Sequence, residues 1–548
     1  MENNQNGSKT TKRLVVFGLL ILSALCAFWS ISERPLNNHE CFVSITAREM
    51  LESGDWVRPT CNGEPRYNKT PLSYWLVAGF AKVTGGVDEF TTRLPSALFG
   101  VLSVAAVLYF VNQWLTFRIA ALSAGVWITS LGYIRYTHNA RPEMALTFFV
   151  LLCFLSFYSS VAAKDKCRQA VYIFLFWISF ALGNLAKGPA PLPLVLIPLF
   201  FYVAIFRQWK KLFNWPMVMG FIIFLAIVLP WPLAIAGKLN WNLALWKKEF
   251  VDRFMGDYAS GHKPLYYFLP KMFIFILPWV AFLPMALAAP FYRIWNRKQA
   301  VMQFLWLWFV VDFVFLTVSM GKRQHYILPL MPAMAILIGI LMEDMVFVRK
   351  AYTLKYAKEV LRYHLIVIIV GAVGGVIYTA KYYPEMLIGA AILGIVMIIT
   401  IAVVAFLFAR GKPEFACGVA FIGIVVLAMI AYVRFINPLN YNQSSRDFTQ
   451  AVAEKVPASD KLIAYKNVSM RFVHYFGRAV PEIPTETQTR KLYDQGCWVV
   501  AFGAFLDELL RSGQFEIVYV QDEAERHKGK IVGGALLHKS AAAAGGST

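Results

Sequence analysis

The sequence predicts a polytopic α-helical membrane protein that ends in a small α/β domain. Three observations carry that prediction: about thirteen long apolar runs, each of a length that spans a bilayer as a helix; Lys and Arg that recur in alternate loops between them; and a tail after Asn437 in which short β-prone runs alternate with helix-like stretches. Composition agrees. The 548 residues are 58% hydrophobic and only 16% charged, against roughly 25% charged in an average soluble protein. With a mean hydropathy of +0.53, the composition argues against a soluble enzyme. The 53 Lys and Arg against 32 Asp and Glu give a net charge of +21. Such an excess would also suit a nucleic-acid binder, but these cations lie between apolar runs rather than in one patch, so no nucleic-acid partner is expected.

In chain order the apolar runs are Leu14–Ser30, Leu94–Leu115, Ile119–Ile134, Met144–Ala162, Ala170–Leu185, Leu192–Phe206, Met217–Ile235, Pro270–Phe291, Val301–Val318, Ile327–Val346, Leu365–Ala380, Met386–Ala409 and Ala416–Phe435. Hydrocarbon offers no water to an exposed peptide group, so such runs cross as helices. The first follows Lys12-Arg13 and is counted as a span, a cleaved signal peptide not being assigned to it.

Cytoplasmic loops carry the Lys and Arg excess. With Lys9, Lys12 and Arg13 inside, alternate loops hold Arg118, then Lys164, Lys166 and Arg168, then Arg207, Lys210 and Lys211, then Arg293, Arg297 and Lys298, then Arg349 to Arg362, and last Arg410 and Lys412. The phase persists to the end. An odd number of crossings puts the chain after Asn437 on the outer face, with the long loops 33–93 and 238–267. The expected domains are 1–436, transmembrane with those two loops, and 437–540, a periplasmic α/β domain. Residues 541–548, a run of Ala, Gly and Ser, read as a linker or tag scar.

Seven cysteines without a C-x-x-C pair argue against a disulfide scaffold and against zinc or redox chemistry. Cys26, Cys153 and Cys417 fall in apolar runs as small hydrophobes. Cys41 and Cys61 share the first outer loop, where an oxidising periplasm would allow a bridge, and the sequence leaves that open.

Ionisable residues beside hydrocarbon are costly unless paired or solvated, so clusters there are candidate sites. The first outer loop carries His39-Glu40, Arg58, Tyr67 and Lys69, then Tyr74-Trp75. Arg141-Pro142-Glu143, Lys187-Gly188-Pro189 and Lys322-Arg323-Gln324-His325-Tyr326 stand at the outer ends of spans. The plainer reading is a hydrated loop and interfacial anchors that snorkel to head groups. Glu143 resists it, because orientation statistics give no reason for a carboxylate beside a span.

The stretch from His39-Glu40 through Ala47-Arg48-Glu49-Met50-Leu51, Ser53-Gly54-Asp55-Trp56 and Lys69-Thr70-Pro71, with Leu185-Ala186-Lys187-Gly188-Pro189 and Lys322 to Pro329, resembles bacterial lipid-A aminoarabinose transferases, within the protein mannosyltransferase-like GT-C superfamily. The resemblance covers essentially the whole chain and implies a GT-C membrane fold of thirteen spans with a periplasmic C-terminal domain. It implies sugar transfer, with inversion, from a polyprenyl-phosphate donor to lipid A or lipopolysaccharide core by a monomeric inner-membrane enzyme. The family's usual Asp-Glu pair reads His39-Glu40 here, and its Glu-Lys-Pro pattern reads Asn68-Lys69-Thr70-Pro71.

On that resemblance Glu40 is the expected base, with Glu143 as partner or second candidate and His39 in the position of the missing Asp. Lys69, Arg58, Lys187, Lys322 and Arg141 are the expected cations for the departing prenyl phosphate. Tyr67 and Tyr326 are expected beside the sugar or prenyl groove. No cofactor is firmly implied; a divalent ion held by His262 together with another outer His or Glu, such as His325, is the open option. Two rival readings remain. One is a transferase acting on protein Ser/Thr or another surface glycan. The other is a transporter of a lipid-linked sugar, which is disfavoured because midspan ionisable residues are few, Asp312 being the clearest, and no halves repeat.

Overall fold

The computed structural model describes residues 2–67, 69–239, 263–291, 298–348, 351–441, 446–511, 515–521 and 533–539, with Lys247, Asp252 and Met255 singly between 240 and 262. The proposed scar 541–548 and the candidate metal ligand His262 lie outside the described residues. The chain forms two compact units. One comprises Met1–Ile31, Tyr67–Ser73 and Arg93–Tyr432; the other comprises Ser32–Arg66, Tyr74–Thr92 and Val433–Thr548. A cut near residue 436 therefore describes the tail alone, because most of the first outer loop groups with it.

The first unit is helical. Among the described residues nine helices are long and apolar enough to cross a membrane, and up to eleven if each of two bent pairs is one span. The expected thirteen runs are all present as apolar helix, but not all as full-length spans. Ile119–Ile134 is Phe117–Ile128 followed by Leu131–Thr137, bent by 60°, and Pro270–Phe291 is Leu265–Ile276 followed by Trp279–Phe291, bent by 118°. Leu192–Phe206 and Leu365–Ala380 fall on the shorter helices Pro191–Ile205 and Ile368–Tyr382.

The breaks have local causes. At the first, Thr129 Oγ1 donates to the Gly125 carbonyl at 2.6 Å, and Ser130 Oγ donates to Trp127 O at 2.8 Å while its oxygen caps the Tyr133 N–H. These hydroxyl bonds add to backbone ones, since Thr129 N–H reaches Gly125 O at 3.1 Å and Ser130 N–H reaches Trp127 O at 3.2 Å, and the cap on Tyr133 opens the next helix. At the second, Pro278 has no N–H with which to continue the ladder. Elsewhere caps set helix starts: Asp165 accepts from the Arg168 N–H at 3.0 Å and opens Lys166–Lys187.

Met331–Met342 is buried on every side, as expected of a helix apolar all round. It lies so close to Phe117–Ile128 that a Cβ on Gly339 would stand 2.2 Å from Ser123 Oγ and 2.7 Å from Ser123 N. Small residues at the crossing permit this approach. Helices Glu143–Ala162 and Gln299–Val318 meet through Phe154 and Trp308, stacked 4.2 Å apart.

In the second unit a two-stranded ribbon pairs β1 (Thr60–Cys61) with β2 (Glu64–Pro65), antiparallel. A five-stranded sheet follows: β3 (Leu462–Tyr465), β4 (Glu482–Ile483), β5 (Trp498–Phe502), β6 (Ile517–Val520) and β7 (Gly534–Leu537), in the order β4-β3-β5-β7-β6. β4, β3 and β5 run parallel, with Ile463 opposite Val499; β7 is antiparallel to β5 and β6 antiparallel to β7. Alternation assigns the two faces. Val500, Leu462, Ala464 and Leu536 join one cluster, and Val499, Ala501, Ile463 and Leu537 the other. Burial on both faces is why the run Trp498–Phe502 is continuously apolar. The tail thus combines a five-stranded sheet with helices.

The first of those clusters also contains Leu36, Cys41, Ile45 and Cys61. The helix Asn38–Ser53 therefore completes the core of the tail domain, which explains its place in this unit. Further ties hold it there. Asn62 Nδ2 donates to Val480 O at 2.9 Å and Asn62 Oδ1 accepts from Val480 N at 2.7 Å. Arg48 donates to the carbonyls of His474 and Val473. Cys41 and Cys61 are free thiols, both buried.

Candidate active site

In the first unit Glu143 opens the helix Glu143–Ala162, where unpaired N–H groups and the helix dipole favour a carboxylate. It is 5% exposed. Its Oε1 accepts from Lys187 Nζ at 3.1 Å and lies 3.2 Å from His325 Nε2. Its Oε2 is buried with no hydrogen-bond partner among the described residues. Arg141, two residues earlier, has a buried Nε in the same condition.

Each partner comes from a different element. Lys187 ends the helix Lys166–Lys187 and lies 5.4 Å from the Tyr326 ring centroid. His325 and Tyr326 belong to the 3-10 turn Gln324–Leu330, their rings 5.0 Å apart. Gly188, the residue after Lys187, donates its N–H to Thr70 Oγ1 at 2.9 Å, which ties the short segment 67–73 to the same helix end. That segment carries Tyr67 and Lys69, both half-buried. Lys322 is buried, donates to the Lys263 carbonyl at 3.1 Å, and has its ammonium pushed below the usual range by burial.

Of the sequence candidates, Glu143, Lys187, His325 and Tyr326 therefore meet directly, and Lys69 reaches the group through its neighbour Thr70. His325 enters as a partner of Glu143. No group of three or more His, Cys, Asp or Glu able to hold a metal occurs among the described residues. Thr70 was not singled out, although its place inside an altered Lys-Pro motif was a signal.

The second unit holds Glu40, His39 and Arg58. Glu40 is fully buried at the third position of Asn38–Ser53, in a capping box with Asn37. Its Oε2 accepts from Asn37 N at 2.8 Å and Asn37 Nδ2 at 2.6 Å, and its Oε1 from Arg34 at 3.0 Å. Both oxygens are thus engaged, one in the helix cap and the other with Arg34. His39 is exposed beside it. Arg58 pairs with Asp55 in an exposed turn. Burial there pushes the Asp55 carboxyl up, but hydrogen bonds from Arg58 and the Val57 N–H outweigh it and hold the group below its usual range.

Residues 43–240 match the family model described as dolichyl-phosphate-mannose-protein mannosyltransferase. Against solved structures, the chain superposes on ArnT from Cupriavidus metallidurans bound to undecaprenyl phosphate with a TM-score of 0.81 and 19% identity, covering 94% of this chain and 97% of that one. The apo state of the same protein gives 0.78 and 18%, with the same coverage. The chain therefore shares the fold of that protein. It is similar in sequence to named relatives as well. It is 28% identical over 330 residues to the undecaprenyl phosphate-α-4-amino-4-deoxy-L-arabinose arabinosyl transferase of Pseudomonas aeruginosa strain LESB58, a match spanning 58% of each protein. Its identity to the enzyme of that name from Enterobacter sp. strain 638 is 28% over 303 residues, 54% of this chain and 53% of that one. The chain thus matches little more than half the length of these relatives.

Proposed function

We propose that this protein is an inverting glycosyltransferase of the bacterial inner membrane. It moves a sugar, aminoarabinose or a related one, from a polyprenyl-phosphate donor to lipid A or lipopolysaccharide core at the periplasmic face. The observation that carries the reading is the Glu143 carboxylate: one oxygen is fixed by Lys187 and His325, and the other is buried and unengaged at a helix N-terminus. The named relatives support the donor class.

In the proposed reaction the acceptor oxygen attacks the anomeric carbon. The bond from that carbon to the prenyl-phosphate oxygen breaks, and the electron pair leaves with the phosphate. Lys187, Lys69 and Arg141 face the charge that develops there, and such fixed cations act before any reorganisation is needed. If the acceptor is a hydroxyl, its proton passes to the open oxygen of Glu143. If it is a lipid-A phosphate no proton need move, and the carboxylate faces the positive charge growing on the sugar ring. Glu40, whose oxygens are engaged, positions the helix Asn38–Ser53 in this reading.

The alternation of cationic loops supports thirteen crossings, a cytoplasmic N-terminus and a periplasmic tail domain. Reporter fusions after Arg118, Lys238 and Asn437 test that topology. The function is tested by incubating the purified full chain in detergent with undecaprenyl-phosphate aminoarabinose and lipid A. A lipid A mass gain of one sugar, with no membrane gradient present, supports transfer; no gain with lipid A but a gain on a protein acceptor supports the Ser/Thr reading.

A further inference from the structure

We propose that Thr70 is a positioning residue for the prenyl-phosphate donor, acting through its hydrogen bond to Gly188; this rests on the reading of Lys69 and Lys187 as donor-phosphate cations.

The argument begins with two adjacencies in sequence, Lys69-Thr70 and Lys187-Gly188. A single bond, Gly188 N–H to Thr70 Oγ1 at 2.9 Å, joins the second member of each pair. Two lysine-bearing segments 118 positions apart are thereby held side by side. Thr70 is only 6% exposed, so water does not compete for that oxygen. Gly188 adopts φ 61°, in the left-handed half of backbone space that glycine tolerates best, at the residue after the helix Lys166–Lys187.

Both flanks are already constrained. Pro71 biases Thr70 away from helical backbone. Leu72 packs against a cluster of Ala145, Phe148, Phe149 and Ala186, so the segment is pinned just downstream as well. Lys187 is held at its tip by Glu143 and lies beside the Tyr326 ring. What these contacts leave to Thr70 is the spacing of Lys69 against Lys187.

The test compares Thr70→Val, which keeps the shape and removes the acceptor, with Thr70→Ser, which keeps the hydroxyl. Full-length protein in detergent is titrated with undecaprenyl phosphate alone, read by native mass spectrometry below the melting temperature of every variant. Thr70→Val should weaken binding about tenfold and raise the donor KM by a similar factor with kcat within about twofold, because the spacing of the two lysines rests on one hydrogen bond whose loss is worth roughly that much. Thr70→Ser should return both to near wild type. Equal binding by the Val variant overturns the inference, and so does a Ser variant as weak as the Val variant. A wild-type protein that binds no undecaprenyl phosphate overturns the donor reading itself.

Discussion

Lys187 and Glu143, 44 positions apart, meet with Nζ 3.1 Å from Oε1 at the joined ends of two helices. The carboxylate is almost wholly buried and the lysine side chain is 18% exposed. Taking such charges from water costs several kcal/mol per ion, which a single contact seldom repays. A pair retained under that cost, with an unengaged carboxylate oxygen beside it, fits use in chemistry better than a role in stability.

The first prediction separates the two acidic candidates. Glu143→Gln keeps volume but removes the charge, and transfer should fall by about a hundredfold or more, the usual scale for a lost catalytic carboxylate. Glu40→Gln should lower the melting temperature, at a cost of about 1–3 kcal/mol, by weakening the cap and leaving the Arg34 contact without its carboxylate, while most of the transfer rate survives. Initial rates in detergent decide between them. If Glu40→Gln is inactive yet folded, the carboxylates have been assigned the wrong way round.

A second prediction concerns the other end of the helical unit. Lys298 Nζ is shared between Glu343 Oε2 at 2.7 Å and Asp344 Oδ1 at 3.0 Å, both acids nearly inaccessible, and Thr116 Oγ1 donates to Glu343 at 2.8 Å. Lys298→Met strands two buried carboxylates and should cost about 3–5 kcal/mol. Arg362→Ala removes an exposed pair with Glu359 and should cost less than about 1 kcal/mol. Thermal denaturation of the two variants side by side measures the contrast, and restoration in Lys298→Met/Glu343→Gln/Asp344→Asn would trace the loss to stranded charge.

Cysteine labelling gives a third test with a worked pH sign. Burial pushes the Cys61 thiol up to about 11, so the reactive thiolate is scarce at neutral pH and grows only as pH rises towards that value. Maleimide at pH 7 should therefore modify exposed Cys167 first, half-buried Cys497 next, and Cys61 only after unfolding. Non-reducing peptide mapping should find Cys41 and Cys61 unlinked. A bridged peptide would contradict the free thiols of the structure.

How much was readable in advance depended on range. Spans were legible because twenty apolar residues in a row have few other uses. The bend at Thr129-Ser130 was not, since two small hydroxyl residues barely alter hydropathy while Ser130 caps the start of a new helix. The tail was legible as α/β from its alternating runs. That Leu36, Cys41 and Ile45 complete its core was hidden, because their partners Phe472 and Val500 lie more than 400 positions away and the helix Asn38–Ser53 carries no label for its partner. At the candidate site the residue types stood out as misplaced ionisable groups, but which ones touch was decided by helix packing alone. Glu40 was visible and ambiguous: a carboxylate three residues after an Asn reads equally as a base or a cap.

The last prediction tests the close crossing of Phe117–Ile128 and Met331–Met342. In an isolated helix Gly→Ala gains about 1 kcal/mol from propensity. At Gly339 the new Cβ would stand 2.2 Å from Ser123 Oγ, 2.7 Å from its N and 2.9 Å from its Cα. A hydroxyl can rotate away, but backbone atoms in a packed pair cannot without moving the whole helix, and overpacking of that kind costs typically 1–3 kcal/mol or more. The steric cost therefore exceeds the propensity gain, and Gly339→Ala should lower the melting temperature. Gly374, with nothing within 4 Å of its ideal Cβ, meets no such obstacle, and Gly374→Ala should leave stability unchanged or slightly raised. Paired melting curves of the two alanine variants in one detergent give the answer, and an equal response would show that the two helices do not cross at Gly339.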